Sequence, residues 1–130
     1  MKNIIFFNHF NRGDLFNNIE FVKQVTNELP NVNFQYMHYQ PSILTDVLGI
    51  EYGGIPDRLL DKKTTMCKKD DTLYINTWSA SNWDLFCKHG GANMSTLYDL
   101  WGKIFKGINK VFNTNLQLDI IKENYIPKSN

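Results

Sequence analysis

The sequence carries no charge excess of either sign. Lys and Arg number 14 and Asp and Glu 13, which leaves a formal net charge of +1 with the 3 histidines neutral. No global field gathers nucleic acid or an anionic membrane, so neither is an expected partner. Cysteine is scarce, with Cys67 and Cys87 the only 2. They match no zinc spacing, and one pair is too few for a disulfide framework. Long apolar runs are also missing. The opening "MKNIIFFNHF" breaks into polar residues too soon for a signal h-region or a membrane span. A cytoplasmic protein with reduced thiols is the reading that follows. The Asn93-Met94-Ser95 sequon means little without a secretion signal. The glycines form neither G-x-G-x-x-G nor G-x-x-x-x-G-K-[ST], so dinucleotide and P-loop fingerprints are lacking. No Asp-x-Asp pair stands at a strand end. No cofactor and no metal are expected.

What is present suffices for one domain spanning 1–130, since 130 residues with 42% hydrophobic content can bury a real core. Aromatics at 14% predict a core built largely from rings. "NIIFFN" at 3–8 is a short unbroken apolar run and reads as a strand buried on both faces. Leu15, Ile19, Val22, Val25 and Leu29 then fall at steps of three and four, one face of a helix flanked by Phe16 and Phe21 and ended by Pro30. "NVNFQYMHY" at 31–39 predicts a second strand, and Pro41 opens a short helix over 41–48. From 49 to 72 the pattern weakens into a solvated connector, with room for a short strand near Ile55 or Met66. "TLYINTW" at 72–78 is a third clear strand, and 79–92 reads as a long loop. Leu97, Leu100, Trp101, Ile104, Phe105, Ile108, Val111 and Phe112 mark the strongest helix, with Asn93 or Ser95 as its cap. A short helical segment is expected over 119–123.

Strands alternating with helices imply right-handed crossovers and a parallel sheet. The predicted fold is α/β: a three-layer, Rossmann-like domain with a narrow, mostly parallel sheet. In such sheets ligands bind beyond the carboxyl ends of the strands. Three polar clusters fall there: His9, Asn11, Arg12, Gly13 and Asp14 after the first strand, His38, Tyr39 and Gln40 after the second, and Asn76, Thr77, Trp78, Ser79 and Ser81 after the third. Asp14 has two readings. As a general base it takes a proton from a substrate hydroxyl; as a helix-start residue it stabilises exposed N–H groups. Arg12 is a clamp for an anionic group or a solvated loop residue, and Gly13 permits a positive φ. Trp78 and Trp83 are candidates for stacking on a sugar ring or for the core, while Trp101 lies on the core stripe. Cys87-Lys88-His89 is too short to define a metal site or a nucleophile pair.

The ordered set "FFNHFNRGDLFNNIEFVKQV", "LYINTW" and "NMSTLYDLWGKIF" resembles the N-terminal half of heptosyltransferase-like glycosyltransferases of the two-domain GT-B type. The resemblance covers nearly the whole chain. It implies a Rossmann-like domain that holds a sugar or glycan acceptor, with the aspartate of the Gly-Asp pair, Asp14, as the base. His9, Asn11, Arg12, Gly13, Asn76, Thr77 and Trp78 are then the acceptor contacts. A GT-B enzyme has a second domain for the nucleotide-sugar, and about half of such a chain is missing here. The resemblance therefore implies hexosyl or heptosyl transfer only when a donor-binding domain completes it, as further sequence or as a partner chain. The alternative is a non-catalytic α/β interaction or oligomerisation module, since an uncovered half-domain face favours self-association.

Overall fold

The computed structural model describes residues 2–8, 16–38, 51–53 and 63–117. Their strands are β1 (Asn3–Phe7), β2 (Asn33–Met37), β3 (Glu51–Gly53), β4 (Met66–Lys69) and β5 (Thr72–Asn76). Their helices are α1 (Ile19–Glu28), α2 (Trp83–Lys88) and α3 (Met94–Phe112), with a 3-10 turn over Ser79–Ser81. The sheet is open, in the order β3-β2-β1-β5-β4. β1 runs parallel to β2 and β5, β2 runs parallel to β3, and only β4 is antiparallel. The α/β class and the mostly parallel sheet thus agree with the sequence reading. The helices expected over 41–48 and 119–123 lie outside the described residues.

Pairing in register sets the core. Ile4 and Phe6 on β1 stand beside Phe34 and Tyr36 on β2 and beside Leu73 and Ile75 on β5. Successive strand residues point to opposite faces, so these six form one apolar face. α1 and α3 both cover it. Phe21 of α1 meets Phe6 edge-on, stacks on Trp101 of α3 and meets Phe105 edge-on. Val22, Val25, Leu97, Leu100, Ile104 and Ile108 complete the cluster. The ring-built core is as the composition suggested. The described residues make two layers, a sheet and one helical layer. On the other face Phe7 is buried, whereas Ile5, Met37 and Tyr74 are half-buried. The "NIIFF" run is therefore fully buried at Ile4 and Phe6 but not at Ile5, in place of the uniform burial expected.

The short strand allowed for near Met66 is present, and one segment differs from the sequence reading. The connector "MCKKDD" holds strand β4 and a tight turn to β5, with Asp70 in the left-handed region at φ 55. Cys67, Lys68 and Lys69 are exposed because β4 is a sheet edge, and their polarity weakens the strand signal. Lysines on an edge strand discourage pairing with other chains. The presumed loop 79–92 contains α2, whose start is capped by Asn82 accepting from the Leu85 N–H at 3.1 Å. At six residues, that helix is too short to show a period. α3 follows its expected stripe. Asn93, not Ser95, caps it by accepting from the Thr96 N–H at 3.0 Å, and Asn113 ends it in the left-handed conformation. Both cysteines are free and exposed. Among the described residues no helix is long and apolar enough to cross a membrane.

Candidate functional site

The chain leaves β1 toward β2 and β3 on one side, and β5 returns on the other side of β1. The gap between β1 and β5 is therefore the point where strand order reverses, the usual place for a ligand in an open α/β sheet. Phe7 and Asn76 end these two strands in register. The segments that begin at Asn8 and Thr77 consequently leave the sheet side by side, and Asn8, Asn76 and Thr77 are all fully buried there.

Thr77 is the hub of this edge. Its backbone N–H donates to the Phe7 carbonyl at 2.9 Å, and its hydroxyl donates to the same oxygen at 3.2 Å. A hydroxyl has one proton to give, so the short contact with Tyr36 has the Tyr36 phenol as donor. The Thr77 carbonyl accepts from the Asn18 side-chain amide at 3.1 Å. Asn18 in turn accepts from the Trp101 indole N–H at 2.6 Å. A line of buried hydrogen bonds thus ties α3 and the start of α1 to the carboxyl ends of β1, β2 and β5. Beside it, the Asn76 side chain accepts from the Trp78 N–H at 3.0 Å, which turns the chain out of the sheet. Ser81 and Thr65 share a hydroxyl contact of 3.2 Å. The Ser79 hydroxyl is buried and has no hydrogen-bond partner among the described residues.

Of the residues chosen from sequence, Asn76, Thr77 and Trp78 meet at this edge. Thr77 is fully buried with its hydroxyl engaged on Tyr36 and Phe7, so it positions the strand ends instead of facing solvent. Trp78 is half-buried, and His38 is fully buried at the end of β2. His9, Asn11, Arg12, Gly13 and Asp14, like Tyr39 and Gln40, lie outside the described residues. The flanks of 9–15 are described. Asn8 donates its N–H to the Met37 carbonyl at 3.2 Å, and Asn18 is bound to Thr77, so both flanks are fixed at the carboxyl edge of the sheet. Asp14 is four residues from Asn18, within about 14 Å even for a fully extended chain.

Of the two readings left open for Trp83, the core one fails. It is 60% exposed and stacks on Phe86 with ring centroids 5.0 Å apart. His89 bonds Asp99, and no group of His, Cys, Asp and Glu suited to a metal occurs among the described residues.

Asn18, Tyr36 and the Trp101 N–H did not stand out in the sequence. The signal for Asn18 was its position. It falls between Leu15 and Val22 on the apolar stripe of the first helix, where an amide must find partners inside. Asn18→Ala leaves the Trp101 N–H and the Thr77 carbonyl without their partners, each worth about 1–3 kcal/mol when buried. We expect a loss of about 3 kcal/mol in urea unfolding, and a smaller further loss when Trp101→Phe is added, because the two changes remove one interaction. Strict additivity would show that the bond contributes nothing.

The groups described at this edge are amides, hydroxyls and rings, the His38 imidazole among them. They suit hydrogen bonding to an uncharged polar ligand, and His38 at the end of β2 is a titratable group among them. No protein family, no curated protein and no solved structure matches the chain.

Proposed function

We propose that the chain is a glycosyltransferase-like acceptor-binding domain, the Rossmann-like half of a GT-B enzyme of heptosyltransferase type with a second helical layer. The observation that carries this reading is the convergence of Asn8, Asn76, Trp78 and Ser79 where β1 and β5 part, with 9–15 anchored at both flanks. Neutral hydrogen-bonding groups beside an indole suit a polyhydroxylated acceptor better than a charged one. Asp14 is the base, and Arg12, Asn11 and His9 orient the acceptor hydroxyl. Transfer requires a nucleotide-sugar site from a further domain or a partner chain.

Titration of the isotope-labelled protein with a panel of neutral mono- and oligosaccharides tests this by NMR. We expect saturable amide shifts at Asn8 and over 76–81, with no response at the far ends of the strands near Asn3 and Thr72. An unresponsive edge across the panel counts against the reading.

A second reading, a non-catalytic interaction module, draws on the large exposed rings of Phe16 (53%) and Trp83 (60%). A concentration-dependent oligomer in light scattering that Trp83→Ser dissolves would favour it.

A further inference from the structure

Away from the sheet edge, α2 and α3 enclose a groove of about 290 Å³ lined by Leu85, Lys88, Tyr98, Asp99, Gly102, Lys103 and Lys106. Its charge is one-sided in a chain that is nearly neutral overall: three ammonium groups and one carboxylate. Asp99 is already shared, since it bonds His89 at 2.5 Å and lies 3.8 Å from Lys88. Lys103 is four residues beyond Asp99, the spacing of a helical ion pair. Yet neither Lys103 nor Lys106 has a carboxylate partner among the described residues.

The groove floor supplies an independent observation. Gly102 sits inside α3, where glycine weakens a helix, and a Cβ built on it meets nothing within 4 Å. Packing therefore does not require the glycine. Gly107, one and a half turns later, is different, because a Cβ there would strike the Met66 side chain. At Gly102, which lines the groove, the missing side chain leaves open space.

We propose that this groove binds a phosphomonoester, its phosphate held by Lys103, Lys106 and Lys88 and its organic part lying against Leu85 and Tyr98. Lysine binds phosphate as a point charge, and a dianion pairs with the two ammonium groups that have no carboxylate partner among the described residues. The volume is at the lower end for small-molecule sites, which favours a small metabolite over a nucleic acid. The inference is independent of the acceptor site, whose described groups are amides, hydroxyls and rings.

The test is an NMR titration of the 130-residue chain at low salt with inorganic phosphate and, separately, glycerol 3-phosphate and phenyl phosphate. We expect saturable shifts over 85–106 with Kd on the order of millimolar for inorganic phosphate, weakening as salt rises. Tighter binding of either ester identifies a phosphomonoester; equal affinities overturn the role of Leu85 and Tyr98. The double variant Lys103→Gln/Lys106→Gln should weaken binding roughly tenfold or more, the loss of two charge-assisted contacts. Gly102→Leu, which fills the floor, should do likewise with helix content and Tm preserved or raised. Lys68→Gln, which lines a separate groove with Met66, Leu73, Gly107 and Lys110, should change nothing. Wild-type affinity in the double variant, an equal loss in Lys68→Gln, or tighter binding of a short RNA than of the esters overturns the proposal.

Discussion

Phe21→Ala should lower stability by about 4–5 kcal/mol, most of what a small domain has in reserve. Phe21 is fully buried. It also joins the rings of both helices to the sheet: Trp101 stacked at 5.6 Å, Phe105 edge-on at 5.6 Å and Phe6 edge-on at 6.2 Å. Its removal opens a cavity between sheet, α1 and α3 and forfeits three aromatic contacts, each worth about 0.5–1.5 kcal/mol beyond the area buried. At a few degrees per kcal/mol, Tm should fall by roughly 15 °C in a calorimetric or circular-dichroism melt. Phe21→Leu keeps most of the volume and should cost only about 1–1.5 kcal/mol. A loss below 1 kcal/mol for the alanine variant would mean that α1 does not seat this ring between β1 and α3.

Asp14→Asn is expected to have the largest effect on chemistry. With a nucleotide-sugar-binding half supplied in trans or as continuing chain, the variant should transfer about 10²–10⁴-fold more slowly, the usual contribution of a positioned general base. Asparagine has the shape of aspartate and keeps its hydrogen-bonding reach, so acceptor affinity should change little. Measuring kcat beside acceptor Kd separates the two readings of this residue. A base loses rate and keeps affinity. A residue that only stabilises the start of a helix loses thermal stability instead, and the rate of the folded enzyme stays near that of the wild type.

Elements with a sustained pattern were legible in the sequence. α3 shows its stripe over five turns, and β1 and β5 carry the β-branched and aromatic residues that an inner strand needs. β4 was legible only as room for a short strand near Met66, because an edge strand buries only that side chain in part and leaves Cys67, Lys68 and Lys69 in water, the composition of a loop. α2 was hidden because six residues do not complete two turns. The candidate edge follows from strand order alone, and Asn76, Thr77 and Trp78 stand there as the end of β5 and the two residues after it. The use made of Thr77 did not follow, because only tertiary contacts reveal that its hydroxyl, carbonyl and N–H all bond inward. Asn18 and Trp101 show the same limit. A polar atom on an apolar stripe signals that a partner exists, and the partner is 83 positions away.

The central pairing of the sheet also sets a clock. Asn3 pairs with Thr72 and Phe7 with Asn76, so β1 is flanked on one side by a strand 69 residues later in the chain. β2 can join β1 early, but that pair remains open at its other edge until β5 has been synthesised. From Met37 to Asn76 the wait at typical elongation rates is roughly 2–8 s, long compared with helix formation and local collapse. During it, Ile4 and Phe6 lack their neighbours Leu73 and Ile75 as well as the whole of α3. High contact order of this kind slows refolding, and it makes nascent β1 the segment most in need of chaperone protection.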